Sequence, residues 1–261
     1  MKEVLNLRGE KTMVMGILNV TPDSFSDGGK YNSVEAAIAH ARQMISDGAD
    51  ILDVGAESTR PGAKIIGVDE EIARFEKILP AIKNLGVPIS IDTYKPEVAE
   101  FSLKCGAKII NDVHGLEDSR MIAVAKKFNA PVIAMHSEKC CDGDIIDDIK
   151  KFFRRTLAKF DGQIIFDVGI GFGKTQEENL AILQRLDELK VVDGREIPLM
   201  LGVSRKSFIG WATGLNLDAR DEATGAICVH AIEKGIDIVR VHNVKMIARM
   251  CLMTDKLRRK N

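Results

Sequence analysis

The chain has 261 residues, 45% of them hydrophobic and 29% charged, with a formal net charge of −1. This is the balance of a globular protein, long enough for two small domains or one α/β barrel. A net charge so close to zero excludes a broad basic field for nucleic acid, and no apolar run approaches the ~18 residues of a membrane span.

In chain order, the first element is "MVMGILNV", starting at Met13. It reads as a buried strand, because Val14, Ile17, Leu18 and Val20 leave no polar face. The run passes through Asn19 into "TPDSFSDGG", a turn-rich segment holding hydroxyls, carboxylates and one aromatic, Phe25. A buried strand that ends on Asn and is followed by such a segment points to a site, with a long surface loop as the plain alternative. Further strand-like runs begin at Asp50 ("DILDVGAES"), Pro88 ("PISIDT"), Ala107 ("AKIINDV"), Pro131 ("PVIAMH"), Gln163 ("QIIFDVG"), Ile197 ("IPLMLGVS") and Ile236 ("IDIVRVH"). Helical patterns lie between them. Ile72, Phe75, Leu79 and Ile82 recur at spacings of three and four, and an amphipathic run covers 144–160. Gly48, Gly86, Gly106 and Gly235 punctuate helix ends.

Eight strands alternating with helices predict a single-domain (β/α)₈ TIM barrel over 1–261, with an open doubly wound sheet as the alternative. Five cysteines (Cys105, Cys140, Cys141, Cys228 and Cys251) contain no C-x-x-C. Neither a disulfide framework nor a zinc site is expected, and a reducing cytoplasm fits. The N-terminal "MKEVLNLRGEKT" has no apolar core of signal-peptide length, and the C-terminal "KLRRK" reads as a solvated helix end.

Barrel enzymes work at the C-terminal ends of their strands. Here those ends read Asn19, Glu57-Ser58-Thr59-Arg60, Asp92-Thr93, Asn111-Asp112, Met135-His136, Asp167, Ser204-Arg205-Lys206, and Arg240 with His242. Two groups separate. Asp92, Asn111 and Asp167 are acceptor-rich and suit the N–H and NH₂ edge of a flat aminopyrimidinone heterocycle. Buried carboxylates need partners, so the ligand or Lys206 is expected to complete them. The competing reading makes Asp92 and Asp112 caps of the helices that follow. Arg60, Lys206, Arg240 and His242 form the cationic group. Arg240 and His242 are two apart and share one side of a strand. With Asn19 as an oxygen ligand they suit a diphosphate bridged by Mg²⁺, which keeps waters and substrate phosphates in its shell.

Other signals are weaker. "GIGFGKT" fails the phosphate-loop pattern because Val168 stands where Gly is required, so Gly169, Gly171 and Gly173 are read as a tight turn presenting Phe172. His40 and His230 fall in helices and are expected to be structural. His114 and His136 raise a metal-hydrolase reading, but the first strand carries Leu18-Asn19-Val20 in place of H-x-H.

Taken together, "MGILNVTPDSFSDGG", "DVGAESTRPGA", "IDTYKPEVAE", "INDV", "DVGIGFGKT", "GVSRKSFIG" and "VRVHNV" resemble the dihydropteroate synthases of folate biosynthesis, in order and along the whole chain. The resemblance implies a cytoplasmic, homodimeric transferase. It would join 6-hydroxymethyl-7,8-dihydropterin diphosphate to p-aminobenzoate and be open to sulfonamide mimics of the latter. Asp92, Asn111, Asp167 and Lys206 would hold the pterin. Asn19, Arg240 and His242, with Mg²⁺, would hold the diphosphate beside Thr59. Phe25, Arg60, Pro61, Phe172 and Ser207 would shape the p-aminobenzoate site. Lys206, Arg240, His242 and Asp27 would carry catalysis, with Phe25 and Asp27 arriving on a lid over 20–29 rooted at Asn19. Two departures stand out: Val168 replaces the usual Pro, and "MHSEKCCDGDII" is short for the family. The alternatives are a pterin-binding methyltransferase acting with a corrinoid protein, and a non-catalytic pterin-binding protein.

Overall fold

A computed structural model describes residues 5, 11–20, 32–57, 65–139 and 143–258. Eight parallel strands close on themselves: β1 (Met13–Asn19), β2 (Ile51–Gly55), β3 (Ile89–Asp92), β4 (Ile109–Asp112), β5 (Val132–Met135), β6 (Ile164–Asp167), β9 (Leu199–Leu201) and β10 (Ile238–Val241). The ring order is β1-β10-β9-β6-β5-β4-β3-β2, and closure of β2 on β1 pairs Met15 with Ile51. Closure rules out the open doubly wound sheet. Helices ring the outside: α1 (Asn32–Ser46), α2 (Val68–Ile82), α3 (Pro96–Lys104), α4 (Ser119–Phe128), α5 (Ile145–Lys159), α6 (Gln176–Gln184), α7 (Ser207–Thr213), α8 (Asp221–Glu233) and α9 (Val244–Arg258).

The expected helices form for the expected reasons. In α2, Phe75, Leu79 and Ile82 are buried against the strands. The amphipathic run at 144–160 becomes α5, where the Asp144 carboxylate accepts from the Ile146 amide at 2.8 Å and caps the first turn. Gly48, Gly86, Gly106 and Gly235 all adopt positive φ at helix ends. One feature was not anticipated, a two-stranded hairpin of β7 (Val191–Val192) and β8 (Arg195–Glu196). Its Asp193-Gly194 turn has φ of 51° and 77°, the geometry that an Asp-Gly pair favours between short strands. Among the described residues no helix is long and apolar enough to cross a membrane.

Strand alternation explains why a site exists. Met15, Ile51, Ile109, Ile133, Ile165, Met200 and Ile238 point inward and, with Leu5, form a dry cluster inside the barrel. Two residues further along the same strands come Ile17, Asp53, Asn111, Met135, Asp167, Gly202 and Arg240. On four of these strands, at Asp53, Asn111, Asp167 and Arg240, the sequence thus switches from apolar to polar within one step. The barrel is plugged below and chemically dressed above.

Candidate active site

Asp92 and Asn111 are cross-strand neighbours in the β3–β4 register. Asp167 closes β6, where its Oδ1 accepts from the Gly169 amide at 2.8 Å. Burial pushes the carboxyls of both Asp92 and Asp167 above the usual carboxylate range, against the pull of Arg240 on each. Each would therefore gain from hydrogen-bond donors on a ligand. Among the described residues Asp92 Oδ1 is buried without a hydrogen-bond partner. Beside Asp167, a Cβ on Gly202 would lie 3.5 Å from Oδ2, so the glycine leaves the space in front of that oxygen open.

The cationic group joins this clamp directly. Arg240 donates from Nε to Asp53 Oδ2 and from Nη2 to Asp92 Oδ2, each at 2.6 Å. Burial opposes its charge, but Asp53 and Asp92 outweigh that and hold the guanidinium more firmly protonated than usual. Arg240 has five N–H donors, so these two bonds leave the others for a ligand. The two groups separated in the sequence are therefore one network. His242, two residues on, has Nδ1 at 2.9 Å from Ser204 Oγ, and its backbone amide donates to the same oxygen at 3.1 Å. Asn19 ends β1 near Asp92, and a Cβ on Gly55 would lie 3.7 Å from both Asn19 Oδ1 and Asp92 Oδ2.

Asp53 is a site residue that sequence reasoning missed. It is fully buried on β2, and its Oδ2 also accepts from Asn111 Nδ2 at 3.0 Å. The signal was present: in "ILDVG" a carboxylate occupies the inward parity of an otherwise apolar strand.

Lys206 departs from expectation. Its Nζ donates to the Ile170 carbonyl and sits 4.7 Å above the Phe172 ring. Arg240, not Lys206, completes Asp92. Burial lowers the Lys206 ammonium to about 8, with Asp167 pulling the other way. Gly169, Gly171 and Gly173 all have positive φ, and the Phe172 amide donates to the Gly169 carbonyl at 3.1 Å, the tight turn expected of this stretch. Lys174 ties the turn down, donating to the His136 carbonyl at 2.8 Å and the Phe172 carbonyl at 3.0 Å. Val168 is fully buried, so packing and these bonds fix the turn without proline. Ser207 opens α7 and is exposed.

Several polar strand ends serve structure. Asp112 accepts from the His114 and Leu116 amides at 2.8 and 2.9 Å and so pins the turn after β4, whereas α4 is capped by Asp118; neither Asp92 nor Asp112 caps the helix that follows it. Arg205, at φ 59°, turns away from the mouth to pair with Asp221 through two bonds of 2.7 and 2.8 Å. His114 stacks on Tyr94 at 4.2 Å, and His136 is buried edge-on to Phe152. His230 Nε2 lies 3.1 Å from the Leu183 carbonyl, a structural contact. At the root of the β2–α2 connection, Lys95 bridges Glu57 and Glu71 at 2.6 Å each.

Of the expected site residues, Asn19, Asp92, Asn111, Asp167, Phe172, Lys206, Ser207, Arg240 and His242 thus meet at one rim of the barrel. Phe25, Asp27, Thr59, Arg60 and Pro61 lie outside the described residues, as do Cys140 and Cys141.

A family model described as pterin binding enzyme matches residues 15–242. A dihydropteroate synthase of Bacillus subtilis is 48% identical over 95% of this chain and 89% of its own length. A dihydropteroate synthase from Clostridium difficile, solved in the presence of pteroic acid, superposes with a TM-score of 0.92 at 45% identity, covering 97% of this chain and 98% of that one. The enzyme of Xanthomonas albilineans, solved with 4-aminobenzoic acid, gives 0.90 at 34% identity over 98% and 96%. With a match of this extent and a polar mouth of this composition, the chain belongs to the pterin-binding enzyme family, among its dihydropteroate synthases.

Proposed function

We propose that this mouth condenses 6-hydroxymethyl-7,8-dihydropterin diphosphate with p-aminobenzoate, giving 7,8-dihydropteroate and diphosphate. The carrying observation is Arg240. One guanidinium touches the ring clamp through Asp92 and keeps donors for phosphate oxygens beside His242. In this assignment Asp92, Asn111 and Asp167 accept from the N–H and NH₂ edge of the pterin. Lys206 donates to its carbonyl side. The arylamine nitrogen attacks the exocyclic methylene, the bond from that carbon to the diphosphate oxygen breaks, and the amine then loses a proton. Because the arylamine is a weak nucleophile, positioning and stabilisation of the departing diphosphate carry most of the rate. Arg240 and His242 supply that stabilisation. Phe172, beneath Lys206, forms one wall for p-aminobenzoate with Ser207 at its edge, and Phe25, Asp27, Thr59, Arg60 and Pro61 are assigned to the same reaction.

A magnesium ion fits this seat. Among the described residues no cluster of three or more His, Cys, Asp or Glu side chains could hold a metal, but Mg²⁺ with a diphosphate needs few protein ligands. The Asn19 oxygen beside Asp92 is the protein's share. Bound there, the ion would neutralise charge on the diphosphate oxygens. We further assign the protein to the cytoplasm as a homodimer, a reading supported by the unpaired thiols of Cys105, Cys228 and Cys251 and by apolar side chains exposed on α9.

A corrinoid-dependent methyltransferase would need the ring clamp but not the cationic seat, and a silent binding protein would turn over nothing. Diphosphate release separates them. The synthase releases diphosphate only when the dihydropterin diphosphate, p-aminobenzoate and Mg²⁺ are all present, and a sulfonamide competes with p-aminobenzoate. Absence of release with all three supplied overturns the proposal.

A further inference from the structure

We infer that Asp53 sets the hydrogen-bonding polarity of the ring clamp: by holding the Asn111 amide nitrogen, it makes the clamp present acceptors only, and so selects heterocycles whose facing edge carries only donors. The inference rests on the reading of the mouth as a pterin site.

An Asn side chain can offer a pocket either its oxygen or its NH₂ group, and the two orientations have nearly the same shape. Here the choice is forced. Asp53 is fully buried, and its Oδ2 lies 3.0 Å from Asn111 Nδ2. The same oxygen accepts from Arg240 Nε at 2.6 Å, so an acceptor is required at that point. Turning the amide over would set two oxygens against each other and leave the Asn111 oxygen without a donor in a buried place, while Asp53 Oδ2 kept only Arg240. Asn111 therefore gives its nitrogen to Asp53 and its Oδ1 to the ligand. On either side stand the unpartnered Asp92 Oδ1 and the Asp167 Oδ2 that faces the space above Gly202. Three neighbouring acceptors match a run of N–H and NH₂ donors and repel a carbonyl placed among them. Asp53 acts through Asn111 and Arg240, and is a positioning residue.

Selectivity tests this better than affinity, because a merely structural defect weakens every ligand alike. The probes are 6-hydroxymethylpterin and its lumazine counterpart, in which a carbonyl replaces the amino group, titrated against the folded full chain. Wild type is expected to prefer the pterin. In Asp53→Ala the freed amide can turn and donate to the carbonyl, so the preference should shrink by about tenfold, the worth of roughly one hydrogen bond. Asp53→Ser, whose hydroxyl both donates and accepts, should show the same loss and stands in if the alanine variant does not fold. Asp53→Asn should keep the preference within about twofold, because Arg240 Nε holds its oxygen in the place of Oδ2 and so keeps an acceptor against Asn111. An undiminished preference in folded Asp53→Ala or Asp53→Ser overturns the role of Asp53. A wild type that prefers lumazine, or neither probe, overturns the pterin reading itself.

Discussion

Arg240 carries two burdens that its sequence context does not advertise. Flanked by Val239 and Val241, it sits between Asp53 and Asp92 with its side chain mostly buried. Arg240→Ala should cost about 2.7–4 kcal/mol of transition-state stabilisation, by analogy with loss of one oxyanion donor. It should also cost about 3–5 kcal/mol of folding stability, because two buried carboxylates lose their cation. Steady-state diphosphate release and urea titration of the same variant check both, and near-normal turnover would contradict the assignment. Lys206 supplies a pH signature. Burial lowers its ammonium to about 8, so the donor is present below that pH and lost above it. The kcat/KM for the pterin substrate should accordingly fall above about pH 8, and Lys206→Arg should move that limb upward. For stability the sign is the reverse. The unfolded chain, with an ordinary lysine near ~10.4, holds the proton more tightly, so the contribution of Lys206 rises with pH between about 8 and ~10.4. At this scale the acceptors, the cations and Asn19 were legible because each ends a strand-like run. Asp53 showed only as a carboxylate at the inward parity inside a strand, and its partners Arg240 and Asn111 appear only in the folded barrel.

Among the elements, the turn after β6 depends most on particular backbone. Gly169 has φ of 69°, and a Cβ there would lie 1.9 Å from the His136 carbonyl oxygen. Gly169→Ala must therefore move the turn. It should cost about 1–3 kcal/mol in backbone strain alone and raise KM for p-aminobenzoate by displacing Phe172 from beneath Lys206. Urea midpoints and initial-rate kinetics read the two effects, and an alanine variant with unchanged KM would free Phe172 from the proposed wall. The three glycines announced this turn in the sequence, while the anchoring of Lys174 to the His136 carbonyl did not show, since it joins residues 38 apart. The Asp193-Gly194 hairpin was readable from local chemistry but hidden between two stronger elements, a helix and the strand that follows it.

For the whole molecule, alternation of apolar runs gave the element order, and the parity of inward residues turned that order into a plugged barrel with one polar mouth. Closure itself was not readable, because a list of strands carries no information about whether the first pairs with the last; the register of β1 on β10, Met15 opposite Arg240, supplies that. The outer surface carries its own prediction. Leu252, Met253 and Leu257 on α9 are 59%, 58% and 71% exposed. Burying them would stabilise a dimer, so Met253→Glu should shift the mass measured by light scattering from dimer toward monomer while leaving the fold intact. A monomeric wild type would remove that assignment without touching the mouth. The most direct test of the central claim is a crystal structure with dihydropterin diphosphate and Mg²⁺ bound. The account predicts the ring edge within hydrogen-bond distance of Asp92, Asn111 and Asp167, and the phosphates against Arg240 and His242 with the ion at Asn19. A ring seated outside that clamp, or phosphates away from Arg240, would contradict it.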